Sequence, residues 1–347
     1  MTNQIRVLVV DDSTFMRGAL VRMIEKAPRF KVIDVAVNGE EGVKKAAELK
    51  PDVITMDVEM PVMNGIEALK AIMATNKTPV VMVSTLTEAG AATTLQALEL
   101  GAVDFIPKAL NDKDKNIFKG AEEIHAKLAA AAGVANGRAE KVAQLPPVKV
   151  ALPNPSTVTR VNAKIVLIGS STGGPKALQT LLAQFPPSLP VPVVIAQHMP
   201  ADFTLALAKR LDEGAPPTVV EAKPGETLLP GKIYVAPGGK HLRLTATGVT
   251  IDEDRGESPY KPSVDVLAES ARQLFGKQVL GIMLTGMGAD GAKEFKRLHD
   301  LGAYLIAQDQ ASSVVYGMPK AVLEQGGASE VLPLERIAAR VRALLGV

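Results

Sequence analysis

Lys164-Ile-Val-Leu-Ile-Gly-Ser-Ser-Thr-Gly-Gly-Pro175 joins an apolar run to a glycine-rich turn and then to a proline. A short apolar run bounded by turn residues reads as a buried strand, and proline suits the first turn of a helix. The turn therefore lies between a strand and a helix. Two later segments repeat the pattern. Val193-Val-Ile-Ala196 runs into Gln197-His-Met-Pro200, and Leu280-Gly-Ile-Met-Leu284 runs into Thr285-Gly-Met-Gly-Ala-Asp-Gly291. In a parallel α/β sheet the carboxyl ends of the strands share one edge, and ligands bind there. A serine, a histidine and an aspartate delivered to that edge suggest acyl transfer through a covalent intermediate.

Gly169-Ser170-Ser171-Thr172-Gly173 fits Gly-x-Ser-x-Gly, which makes Ser171 the candidate nucleophile. The N–H groups at the following helix start, Thr172 among them, are candidates to hold an oxyanion. The same loop also reads as a phosphate-binding turn or a plain helix cap. His198 is placed to take the Ser171 proton. His241, after Pro237-Gly-Gly-Lys240, competes with it and is kept as a pocket-lining candidate. Asp290 would orient His198, and the N–H groups around Met287 would add an oxyanion donor. A rival reading stays open here. Gly286, Gly288 and Gly291 satisfy Gly-x-Gly-x-x-Gly, and Asp309 follows the next strand, as in a dinucleotide site. That reading leaves Ser171 and His198 without a role. A non-catalytic signalling adaptor is the other alternative.

The remainder of the 347 residues divides into blocks. Residues 1–125 alternate five apolar runs with helically spaced segments, which predicts a doubly wound parallel sheet. Residues 126–160 carry Pro146-Pro147, Pro153 and Pro155 without an apolar period and read as a linker. Residues 161–347 form a second α/β domain of Rossmann-like, three-layer type. Its strands are expected near 165–168, 193–196, 279–284 and 303–307, and the insertion at 218–254 reads as short antiparallel strands.

In the first block Asp11 and Asp12 end one predicted strand and Asp57 another, so three carboxylates converge on one edge. Left alone they would repel, and a hard cation with oxygen ligands, Mg²⁺, resolves that. Ser84 and Lys108 end the next two strands and add a hydroxyl and a positive charge. This set suits phosphoryl transfer to the Asp57 carboxylate.

The bulk numbers exclude several classes. There is no cysteine, so disulfides and thiolate chemistry are absent. Net charge is +2 and aromatics are 3 %, unlike a nucleic-acid surface. No apolar run is long enough to cross a bilayer, and the N-terminus does not read as a signal peptide, so a cytoplasmic protein is expected.

Residues 1–125 resemble the receiver domain of two-component response regulators. The resemblance rests on Val9-Val-Asp-Asp-Ser13, Met56-Asp-Val-Glu-Met-Pro-Val-Met-Asn-Gly65, Met82-Val-Ser84 and Asp104-Phe-Ile-Pro-Lys108. It implies Asp57 as phospho-acceptor, Asp11, Asp12 and Asp57 as Mg²⁺ ligands, Ser84 and Phe105 as switch residues and Lys108 as phosphate partner. Ala109 departs from the proline common in receivers. Residues 161–347 resemble the catalytic domain of the CheB family of chemotaxis protein-glutamate methylesterases. The carrying strings are Ile168-Gly-Ser-Ser-Thr-Gly-Gly-Pro175, Gln197-His-Met-Pro200, Leu284-Thr-Gly-Met-Gly-Ala-Asp-Gly291 and Val315-Tyr-Gly-Met-Pro319. This resemblance implies a Ser171–His198–Asp290 triad, with Met287 in the oxyanion region and no metal in the ester chemistry. It further implies phosphorylation-activated demethylation of chemoreceptor glutamate methyl esters, with glutamine deamidation as a related activity. The implied partners are the methylated receptor and a chemotaxis histidine kinase, with no nucleic acid and no membrane insertion.

Overall fold

The computed structural model describes residues 4–108, 117–135, 160–253 and 258–347. The chain forms two compact units, Met1–Ala143 and Gln144–Val347.

In the first unit, strands β1 (Ile5–Val10), β2 (Phe30–Ala36), β3 (Val53–Asp57), β4 (Val80–Ser84) and β5 (Asp104–Pro107) alternate with helices. These are α1 (Thr14–Ile24), α2 (Gly39–Leu49), α3 (Gly65–Thr75), α4 (Glu88–Glu99) and α5 (Ile117–Ala135). The sheet is parallel, in the order β2-β1-β3-β4-β5. Strands β3 and β4 are buried along their whole length, as helices on both faces require. The first four βα turns each end in a side chain that caps the next helix: Ser13, Asn38, Asn64 and Thr87 accept from N–H groups of α1 to α4. Strand order reverses between β1 and β3, so the ends carrying Asp11, Asp12 and Asp57 flank the crevice. Helix α5 runs through residue 126, where the sequence reading begins its linker, and ends at Ala135. Ala109 and residues 136–159 lie outside the described residues.

The second unit has a seven-stranded parallel sheet in the order β14-β13-β12-β6-β7-β9-β8. Its strands are β6 (Ile165–Ser170), β7 (Val193–Gln197), β8 (Thr218–Glu221), β9 (Lys232–Val235), β12 (Val279–Met283), β13 (Tyr304–Gln308) and β14 (Glu330–Leu332). A separate antiparallel pair is made by β10 (His241–Thr245) and β11 (Gly248–Asp252). The helices are α6 (Gly174–Leu182), α7 (Ala201–Gly214), α8 (Val264–Phe275), α9 (Ala292–Asp300), α10 (Met318–Glu324) and α11 (Leu334–Leu345). Only part of the 218–254 segment is antiparallel. Strands β8 and β9 instead extend the main parallel sheet, with Ile233, Tyr234 and Val235 wholly buried in it. Four-residue strands carry too little pattern to reveal their pairing direction.

One consequence of this order matters most. The strands leading to Ser171, His198 and Asp290 are β6, β7 and β12, and they are immediate neighbours with β6 in the middle. Beneath them Gly281 makes room: a Cβ there would lie 2.5 Å from Leu305 and 3.1 Å from the Phe295 ring. Phe295 on α9 is completely buried against this strand layer. Phe295→Ala is therefore expected to cost about 3–5 kcal/mol. Urea denaturation should show a lower midpoint with the slope preserved.

Candidate functional site

Ser171 and His198 stand just beyond the ends of β6 and β7, and Asp290 stands in the loop between β12 and α9. His198 follows β7, and its Nε2 lies 2.7 Å from Asp290 Oδ2. The Asp290 carboxylate also sits at the start of α8. It accepts from Val264 N at 2.6 Å and Asp265 N at 3.2 Å, and from the Ser263 hydroxyl at 2.8 Å. Exposed helix-start N–H groups and the helix dipole favour an anion here. Burial alone would push the Asp290 pKa up. The His198 hydrogen bond and charge, with the Val264 and Ser263 donors, outweigh it and hold the carboxyl below its ordinary value. With Nε2 directed at the carboxylate, His198 Nδ1 is buried and without a hydrogen-bond partner. The Tyr260 ring stacks on the imidazole, centroids 4.3 Å apart and planes within 4°.

Ser171 is the residue after β6. Its N–H donates to Thr285 O at 3.1 Å, and its carbonyl accepts from Gly174 N at 2.8 Å. These bonds close the elbow, and Gly173 completes it with φ +77°, in the left-handed region. A Cβ on Gly286 would lie 2.9 Å from Ser171 Cβ, so the loop bearing Asp290 passes directly beside the serine. Thr172 is buried, and its carbonyl accepts the Thr285 hydroxyl at 3.0 Å. Met287 is half-buried in the loop between β12 and α9. His241 opens β10, buried and paired in register with Asp252.

The dinucleotide reading loses its anchors. Gly286 N is committed to Val315 O, and Asp309, the required ribose ligand, is bonded by both the N–H and the hydroxyl of Ser312. The Asp290 carboxylate at the loop's end would also repel a pyrophosphate.

Three residues of this site carried no role in the sequence reading: Gln197, Tyr260 and Ser263. Gln197 had a visible signal, a polar residue closing an otherwise apolar buried strand. Ser263 stands where an N-cap serine belongs, ahead of an apolar helix. Tyr260 had none, because only the loop path brings it to His198.

In the first unit, carboxylate oxygens of Asp11, Asp12 and Asp57 all lie within 4.8 Å of one another. Lys108 Nζ is 2.6 Å from Asp57 Oδ2 and 3.5 Å from Asp11 Oδ2. The Asp57 carboxyl is raised above its ordinary value, chiefly by burial and further by the Asp11 charge, against the pull of Lys108. Burial opposes the Lys108 ammonium, but Asp57 and Asp11 outweigh it and raise the amine. One ammonium among three carboxylates leaves net negative charge, and Asp11 Oδ2 is buried without a hydrogen bond. The donor set fits a hard divalent cation. The loop is tight, since a Cβ on Gly65 would lie 1.9 Å from the Asp57 carbonyl oxygen. Ser84 is buried and donates to Gly90 O at 3.3 Å, on the α4 side. Phe105 is buried, with Lys127 Nζ 5.1 Å from its ring centroid.

With this geometry in place, comparison with known proteins is decisive. The family model described as CheB methylesterase matches residues 166–341, half of the chain. The chain belongs to the CheB methylesterase family. A response regulator receiver domain model matches residues 7–116. A protein-glutamate methylesterase/protein-glutamine glutaminase 1 of Vibrio cholerae is 43 % identical, with 99 % of each chain covered. The protein-glutamate methylesterase/protein-glutamine glutaminase of Geobacillus kaustophilus is likewise 43 % identical, again over 99 % of both. The crystal structure of the Thermotoga maritima CheB methylesterase catalytic domain aligns with TM-score 0.51 and 40 % identity, covering 53 % of this chain and 99 % of that one. CheB membership accounts for both units, and among the described residues no helix is long and apolar enough to cross a membrane.

The raised Asp57 carboxyl has a thermodynamic consequence. Folded Asp57 holds its proton more tightly than the unfolded chain does, so the ionised group disfavours folding at neutral pH. Asp57→Asn should raise the urea midpoint at pH 7. The gain should fade as pH falls through the folded and then the ordinary carboxyl range, where both states are protonated. Millimolar Mg²⁺ should narrow the gain by stabilising the wild type, with its full set of three carboxylates, more than the variant.

Proposed function

We propose that this protein is a phosphorylation-activated serine hydrolase of the cytoplasm. It demethylates glutamate methyl esters on chemoreceptor cytoplasmic helices and releases methanol. The observation that carries the reading is the part-buried His198–Asp290 pair, 2.7 Å long, in the segments that follow the two strands flanking the one whose turn bears Ser171.

Ser171 Oγ attacks the ester carbonyl as its proton passes to His198 Nδ1, the nitrogen that Asp290 leaves unoccupied. Asp290 holds the Nε2–H and stabilises the imidazolium. The Met287 backbone N–H, in the loop beside Ser171, supplies the oxyanion donor. Collapse of the tetrahedral intermediate returns the Nδ1 proton to the leaving methoxide. Water, deprotonated at the same nitrogen, then releases glutamate from the acyl-enzyme. A glutamine amide follows the same course with ammonia as leaving group. That matches the glutaminase activity in the relatives' names.

In the receiver, a chemotaxis histidine kinase is the natural phosphodonor, and an Asp57 carboxylate oxygen attacks the phosphorus. Lys108, already 2.6 Å from that carboxylate, pairs with the incoming phosphoryl charge. Asp11, Asp12 and Asp57 would hold Mg²⁺, which supplies neutralisation of phosphoryl charge when bound. Ser84 and Phe105 then report the change as switch residues, shifting the population toward the active form.

Methanol release from a methylated receptor tests the reading. Ser171→Ala should lower it by at least about 10³-fold, as loss of a triad nucleophile does. Asp57→Ala should retain basal release but lose its increase with a small-molecule phosphodonor. Equal release by Ser171→Ala and wild type would refute the serine mechanism.

A further inference from the structure

Gln197 closes β7, one residue before His198, and its side chain is 1 % exposed. Its amide reaches both halves of the site. Nε2 donates to the Ser171 carbonyl at 3.0 Å and to the His198 carbonyl at 3.1 Å. Oε1 accepts the Ser170 hydroxyl at 2.6 Å. The backbone adds a parallel tie, His198 N to Ser170 O at 3.0 Å. Gly174 is what admits the amide, since a Cβ there would lie 2.0 Å from Gln197 Oε1.

The geometry points to Gln197 as a positioning residue, one that fixes the Ser171 elbow relative to the His198 loop for the ester reaction. The inference rests on the serine-hydrolase reading above and deepens it. Three features support the role. The two donated bonds end on the backbone of the nucleophile and of the base, not on distant scaffold. An amide, with two donors and an acceptor, satisfies this set in only one orientation. A carboxylate of the same shape would face two carbonyl oxygens without a proton to offer. Strand pairing fixes β6 against β7 only as far as Ser170 and Gln197, the last matched pair. The His198 N–H makes the last ladder bond, to Ser170 O, and Ser171 lies beyond it; the amide continues the connection where ladder bonds stop. Displacing reacting groups by about 1 Å can cost 10²-fold in rate.

The experiment uses the full-length protein and a methylated receptor, with active sites counted by a serine-directed phosphonate. Gln197→Leu keeps the volume but removes the amide. It should lower kcat per titrated site about 10- to 100-fold with KM within about twofold, the signature of lost alignment and not of lost binding. Gln197→Glu should be impaired at pH 8 and regain activity relative to wild type as pH falls toward 5, because the protonated acid again offers a donor. Should Gln197→Leu fail to fold, Ser170→Ala removes only the hydroxyl that orients the amide, and it should lower kcat per site in the same way. Wild-type kcat per titrated site in Gln197→Leu, or a flat Gln197→Glu ratio across that pH range, would overturn the inference and leave a purely structural amide. Failure of the underlying reading looks different: wild type and Ser171→Ala would then release methanol equally.

Discussion

The buried carboxylate of Asp290 is the interaction on which the catalytic unit depends. An isolated ionised carboxyl in that position would be costly. It is tolerated because the start of α8 supplies N–H groups, Ser263 a hydroxyl and His198 a ring nitrogen. Those same bonds draw α8, the loop after β12 and the end of β7 onto one point. A single charge thus organises the packing of three segments and sets which nitrogen of the histidine is available. The packing of the pocket and the orientation of its histidine share one source.

The receiver pocket handles negative charge in the opposite sense. Asp290 has enough donors to lie below its ordinary pKa, whereas Asp57 has too few and lies above it. The first arrangement is complete in itself. The second is frustrated, with three acids clustered and one lysine beside two of them, and added positive charge relieves it. A site held in that condition responds strongly to a cation or a phosphoryl group, which suits a switch. A site held in the first condition responds little, which suits a carboxylate that orients a histidine.

Much of this was legible in the sequence because apolar runs ending in chemically loaded turns are local signals. The strands ending at Ser170 and Gln197 and the acidic ends of β1 and β3 all follow from short-range pattern. So does the expectation that Ser171, His198 and Asp290 come from strands sharing a carboxyl edge, and β12, β6 and β7 do lie side by side. What escaped depended on pairing at a distance. Strands β8 and β9 carry four residues each, and only their neighbours in the sheet decide that they run parallel. Tyr260 reaches His198 through a loop path with no periodicity to read. Gln197 stood in plain view, but its contacts needed the position of Gly174 at the start of the preceding helix α6.

The orientation of His198 carries a consequence for how the site is built. Nδ1 is one bond nearer the main chain than Nε2, so a base that works through Nδ1 has a short reach. Its nucleophile must then come from close at hand, and adjacent strands lie about 4.8 Å apart. That spacing makes the neighbouring β6 the natural source of the serine. The more familiar use of the distal nitrogen would permit a looser, more distant partner. Here the architecture trades reach for rigidity. On the proposed mechanism, an inserted residue between Gln197 and His198 would have to be absorbed by the backbone, because turning the ring moves the proximal nitrogen only a short way.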